Sequence, residues 1–130
     1  MTKKLELYRC NICGNLVEVL FSGIGVLVCC GENMEHLLPK NTDDMTTEKH
    51  TPEINNYDEG TVVRMTKHPM EKEHYIMMLQ AESENKNEIH IKYFYPNEIV
   101  EMDLPEIDNM KTAISYCNIH GLYSSVKNND

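Results

Sequence analysis

Four of the five cysteines lie between residues 10 and 30, as a Cys10-x-x-Cys13 pair followed by Gly14 and an adjacent Cys29–Cys30 pair followed by Gly31. No other feature constrains the fold as strongly. The surrounding segment reads as short strands, "LELYR", "LVEVLF" and "IGVLVC", broken by "CNICGN" and by Gly23 and Gly25. A stretch of roughly 36 residues cannot bury enough apolar surface to hold itself together, and a structural metal is the usual substitute. A boundary near residue 37 follows, giving domains 1–37 and 38–130. Beyond it, "LLPKNTDDMTTEKHTPEINNYDEG" turns polar, so Leu38 to Gly60 is expected to be linker and irregular loop.

Four thiolates suit a tetrahedral S4 site for iron or zinc, and ligand type does not choose between them. The C-x-x-C half forms a knuckle whose backbone N–H groups point at the sulfurs, and Gly14 suits the left-handed conformation that such a turn wants. The second pair has no spacer, so its sulfurs must open their angle at the metal away from the tetrahedral value. The alternative for Cys29 and Cys30 is a vicinal disulfide, which needs a strained ring and an oxidising setting. No signal-peptide core is visible in "MTKKLELYRC" and no later run approaches a membrane span, so the expected location is the cytoplasm. That compartment keeps thiols reduced and favours metal ligation over a disulfide framework.

A formal net charge of −9 argues against nucleic acid or an anionic membrane as partner. The nine methionines read as flexible core filling rather than ligands. After Gly60 come "TVVRMT", "HYIMMLQAES", "NEIHIKYFY", "EIVEMDL" and "AISYC", separated by turn-like clusters and without helical periodicity. In "NEIHIKYFYP", Ile89, Ile91, Tyr93 and Tyr95 alternate with His90, Lys92 and Phe94, the pattern of a half-buried strand. Several such strands predict an all-β antiparallel sandwich.

Cys117 stands apart from the other cysteines, three residues before His120. Asn118 and Gly121 read as a tight turn that aims Cys117 and His120 the same way. His68 and His74 bracket the turn-like "PMEKE" between two strands, and His50 arrives from the irregular loop. His36 and His90 lack such a setting and read as surface histidines. Taken singly, any of these side chains is more often structural than ligating. Should His50, His68, His74, His120 and Cys117 converge, they make five ligands, one more than structural zinc takes. Such a set suits iron with one position open, where a thiolate pushes electron density onto the metal and a small oxygen species is the natural substrate.

These motifs, "YRCNICGN", "VLVCCGENM", "EKHTP", "HPMEKEHYI" and "CNIHGLY", closely resemble those of the desulfoferrodoxins, the two-iron superoxide reductases, in the family's order from residue 8 to residue 123. The resemblance implies a desulforedoxin-like domain with iron on Cys10, Cys13, Cys29 and Cys30. It further implies an immunoglobulin-like β-sandwich with a second iron held equatorially by His50, His68, His74 and His120 and axially by Cys117. In the family that second centre reduces superoxide to hydrogen peroxide without releasing dioxygen. The carboxylate matching Glu48 caps the ferric site and the lysine matching Lys49 assists the substrate. A rubredoxin-type electron donor and a homodimer are the family's further expectations. Physical chemistry agrees with the roles of Glu48 and Lys49: a carboxylate is a hard ligand suited to ferric iron, and a chain this acidic needs a local positive field to attract an anion. Many members carry tryptophan where this chain has Tyr123, which alters the surroundings of the second site but none of its ligands.

Two rival readings stay open at the level of sequence. One is a small iron or zinc electron-transfer or interaction module with incidental histidines, which would hold one metal. The other is a superoxide dismutase, which would release dioxygen alongside peroxide.

Overall fold

The computed structural model describes residues 1–41, 49–105 and 110–125. Among these residues there are twelve strands and no helix. The chain folds as two units, Met1–Leu38 and Pro39–Asp130.

The first unit carries β1 (Leu7–Arg9), β2 (Leu16–Glu18), β3 (Val28–Cys29), β4 (Glu32–Asn33) and β5 (Glu35–Leu37). Strand β1 is the centre of a small antiparallel sheet between β2 and β5, and β3 pairs with β4 as a separate ribbon. The last two strands are too short and polar to stand out in the sequence. Only Leu7, Val19, Leu37 and Cys10 of its apolar side chains are buried, whereas Phe21 and Ile24 are each 89% exposed. So small a core agrees with a unit that depends on its cysteines for stability.

The second unit is a two-sheet β-sandwich. Strands β6 (Glu53–Tyr57), β7 (Gly60–Met65) and β10 (Val100–Pro105) form one sheet in the order β10-β7-β6. Strands β8 (Ile76–Ser83), β9 (Ile89–Tyr93), β11 (Met110–Cys117) and β12 (Gly121–Ser124) form the other, in the order β12-β11-β8-β9. All their pairings are antiparallel. Alternate residues of β7 (Val63, Met65) and β10 (Val100, Met102, Leu104) enter one core with Ile76, Leu79 and Ala81 of β8. Met110, Ala113 and Cys117 of β11 complete it, so Cys117 is both a core residue and a site residue. Met65, Met78, Met102 and Met110 are buried, as the core-filling reading expects.

Two expectations need correction. The segment from Leu38 to Gly60 is not loop throughout, because Glu53–Tyr57 is the edge strand β6, paired with β7. Its polar composition hides it, yet Asn56 is used structurally: it accepts from the Thr61 hydroxyl at 2.7 Å and donates to the Met110 carbonyl at 3.3 Å. In β9 the sequence alternation is not matched by alternating burial, since Ile89 and His90 are half-buried and Lys92 is exposed. Ile91 and Tyr93 are exposed, and Phe94, from the opposite set, enters the core. Strand β9 lies at a sheet edge, where the outward face tolerates apolar side chains singly.

Candidate metal centres

In the first unit the four cysteine sulfurs lie within 4.8 Å of one another. The Cys13 and Cys29 sulfurs are 3.6 Å apart, and those of Cys29 and Cys30 are 4.0 Å apart and unbonded. Around a metal bound at about 2.3 Å, tetrahedral angles put sulfurs about 3.8 Å apart. The two observed spacings straddle that value, and the vicinal pair is the wider, in the direction its missing spacer predicts. Backbone conformation accommodates the ligands as well. Gly14 (φ 88°) and Gly31 (φ 77°) are left-handed, as is Cys30 itself at φ 54°, a conformation that costs a non-glycine residue energy. The knuckle amide of Cys13 points at the Cys10 sulfur, 3.4 Å away, and the Asn15 side chain donates to the Cys29 sulfur at 3.6 Å.

The four thiols are unequal for a physical reason. The amides of Cys13 and Ile12 hold Cys10 down to about 6. Hydrogen bonding to Cys13 and Cys10 raises Cys29, and bonding to Cys13, Cys10 and Cys29 pushes Cys30 up to about 12. Sulfurs this close share protons because their charges repel. A cation removes that conflict by letting every sulfur ionise, so the donor set fits a thiolate-bound iron or zinc.

The second centre is assembled from separated segments. One ligand atom each from His50, His74, Cys117 and His120 falls within a 4.8 Å cluster. His50 Nε2 and His120 Nδ1 are 3.0 Å apart. Two nitrogens bound at about 2.1 Å and at a right angle to each other lie about 3.0 Å apart, so this pair fits a shared metal. The His68 ring packs against those of His50 and His74, with centroids at 4.6 and 4.8 Å. Its Nδ1 faces the Pro69 carbonyl at 2.7 Å. Donation there fixes the tautomer and leaves Nε2 as the basic nitrogen, the usual arrangement for a ligating imidazole.

Local structure explains the convergence. Glu71 and His74 exchange backbone hydrogen bonds at 2.9 and 3.1 Å, closing the turn between β7 and β8 that brings the rings of His68 and His74 together. A register shift in the β8–β11 ladder falls between Tyr116 and Cys117. Such irregularities re-aim side chains, and Cys117 is fully buried. Gly121, at φ 85°, completes the turn that leads into β12. The His120 amide lies 3.4 Å from the Cys117 sulfur, and His120 Nδ1 lies 3.9 Å from it.

Two residues that the sequence does not mark as supports, Asn118 and Ser115, hold these ligands in place. Asn118 accepts from the Tyr75 amide at 2.9 Å and donates to the Glu73 carbonyl at 3.0 Å, while its own amide donates to the Tyr75 carbonyl at 3.2 Å. It therefore ties the segment around His74 to the turn carrying Cys117 and His120. The buried Ser115 hydroxyl donates to the His50 carbonyl at 2.6 Å. In the sequence Asn118 stands out only as a turn residue, and nothing marks Ser115, because its partner is 65 residues away. Glu48 lies outside the described residues. Lys49 is exposed beside His50. With Lys67 and Lys111 it lines a cleft of about 670 Å³ that also includes Thr51 and Pro52. His36 stacks on Tyr8 at 5.0 Å and His90 lies beside Glu88, both outside the two metal centres.

The desulfoferrodoxin N-terminal domain family matches residues 2–37, and the desulfoferrodoxin family matches residues 42–126. A desulfoferrodoxin of Syntrophotalea carbinolica is 41% identical over 127 residues, covering 96% of this chain and 98% of the relative. A desulforedoxin of Megalodesulfovibrio gigas is 50% identical over 34 residues, covering 26% of this chain and 92% of its own. A crystal structure of the superoxide reductase from Treponema pallidum is similar in fold, with a TM-score of 0.73 at 20% identity, covering 95% of this chain and 98% of that one.

Proposed function

This chain belongs to the desulfoferrodoxin family, and we propose that it is a superoxide reductase with two iron centres. The observation that carries the reading is the clustering of three imidazoles and the buried Cys117 thiol within 4.8 Å. With the His68 ring packed against His50 and His74 the set offers five donors, one more than structural zinc takes.

Cys10, Cys13, Cys29 and Cys30 would hold the first iron. His50, His68, His74 and His120 would hold the second with Cys117. The chemistry that iron would supply there is one electron, which with two protons converts superoxide to hydrogen peroxide. The chain's own groups do the rest. Burial of Cys117 keeps water from its sulfur, and donation from that sulfur favours transfer of the electron. Lys49 supplies positive charge where the anion arrives, offsetting the repulsion of a chain at −9. Its ammonium is also a donor able to orient a water that delivers a proton. Glu48 is assigned the part of a carboxylate that caps the oxidised site.

We assign the electron supply to a rubredoxin-type carrier, for which the exposed Cys13 and Cys30 at the first centre leave an approach. A homodimer is supported by the exposed Leu20, Phe21, Ile24 and Val26 of the first unit, a patch that a second copy would cover. The free state of all five cysteines suits the cytoplasm. No helix of the described residues is long and apolar enough to cross a membrane.

The test is to purify the full chain without oxygen, count its irons, and supply superoxide while peroxide and dioxygen are followed. Two irons per chain are expected, with peroxide formed and no dioxygen evolved. A single iron, or dioxygen in amounts comparable to peroxide, overturns the reading.

A further inference from the structure

We propose that Tyr123 and Lys40 are positioning residues of the second centre, Tyr123 by setting the plane of the His50 imidazole and Lys40 by joining the Tyr123 ring to the His120 turn. The inference rests on the two-iron reading of the chain.

The geometry around His50 is asymmetric. His68 and His120 meet its ring edge-on, at interplanar angles of 73° and 84°. Tyr123 lies face to face with it, at 4.4 Å between centroids and 16° between planes. An imidazole binds a metal along a direction lying in its own plane, yet its second side-chain torsion is broad and sets no such plane by itself. A flat partner on the face restricts that rotation. Tyr123 suits the task because it is only 4% exposed and sits in a strand ladder.

The ladder adds a second hold on the same ligand. Ser115 and Tyr123 are direct cross-strand partners in the β11–β12 pair. Ser115 grips the His50 carbonyl at 2.6 Å, while Tyr123 covers its ring. One rung thus restrains both the backbone and the side chain of a histidine that arrives from a loop.

Lys40 extends the arrangement to a second ligand. Its amide donates to the Leu122 carbonyl at 2.9 Å and its carbonyl accepts from the Ser124 amide at 2.6 Å, so its backbone brackets Tyr123. Its ammonium lies 5.2 Å from the centre of the Tyr123 ring, within cation–π range. The same ammonium donates to the His120 carbonyl at 3.1 Å. His50 and His120 are the two ligands whose nitrogens lie 3.0 Å apart, so Lys40 and Tyr123 together set the spacing of that pair. A positive charge at the His120 turn also favours the less positive state of a bound metal, which raises its reduction potential.

The test uses the full chain loaded with iron, comparing parent, Tyr123→Leu, Tyr123→Phe, Lys40→Met and Lys40→Arg. Readouts are chelator competition at the second centre, its thiolate-to-iron absorption and its midpoint potential. Tyr123→Leu is expected to weaken metal retention about tenfold, in the range seen for other groups that orient ligands. Tyr123→Phe, which keeps the stacking face, should restore it. Lys40→Met should weaken retention roughly twofold to fivefold and lower the midpoint potential, with Lys40→Arg returning both toward the parent. Leu104→Ala, in the core on a strand that carries no ligand, controls for stability and should lower only the melting temperature. If Tyr123→Leu and Lys40→Met behave like Leu104→Ala, with retention, absorption and potential unchanged, the inference is wrong while the two-iron reading stands. A parent chain that takes up no second metal overturns both.

Discussion

Cys10, Cys13, Cys29 and Cys30 come from two turns of one small unit and leave Cys13 and Cys30 exposed, whereas His50, His74, Cys117 and His120 are gathered from distant segments around a fully buried sulfur. The difference shows two ways of holding a metal. In the first, ligand spacing and left-handed residues at Gly14, Cys30 and Gly31 do most of the work, and the metal in turn supports a unit with very little core. In the second, the sandwich has a core of its own, and its strand pairing, its register shift at Cys117 and the side chains of Ser115, Asn118 and Tyr123 aim the ligands. A metal thus makes the first unit, while the second unit makes its metal site.

The largest expected effect comes from breaking one centre without the other. Cys117→Ser should abolish the thiolate-to-iron absorption of the second centre, and superoxide reduction with it, while the colour of the four-cysteine centre persists. If both absorptions survive, Cys117 is not a ligand.

Removing the metals should separate the two units next. After chelation, the first unit is expected to lose its amide protection in hydrogen exchange, because its buried apolar residues are few. The sandwich should keep its own protection, and equal loss in both units would undo the contrast between them. Reloading the first site at pH 7 should release at least two protons, since Cys29 is raised and Cys30 stands at about 12, whereas Cys10, at about 6, is already ionised. Metal affinity at this site therefore rises with pH through neutrality and falls in acid, which an indicator-dye titration at two pH values measures.

The narrowest effect of these three is expected from Asn118→Ala. It removes the two side-chain hydrogen bonds that tie the His74 segment to the Cys117 turn. Each is worth about 1 kcal/mol, so a loss of up to about thirtyfold in metal retention at the second centre is expected, with no change at the first. A matching change at the first centre would mean that Asn118 acts on general stability.

Much of this is legible in the chain. The cysteine spacing, the turn residues Gly14 and Gly121, the alternating strands after Gly60 and the five motifs lead to an all-β protein with two metal sites, because each of these signals is local. The errors fall where local signals mislead. The polar edge strand β6 looks like loop until its pairing with β7 is seen. Strand β9 alternates in sequence but not in burial, because it lies at a sheet edge.

Ligand identity is thus written in spacing and residue type, since a thiolate or imidazole carries its chemistry wherever it stands. The aim of those ligands is not. That Ser115 meets His50, that Tyr123 covers its ring and that Lys40 spans to His120 depend on strand register and on a parallel bridge between residues 40 and 123. Contacts of such separation arise only once the sandwich has closed.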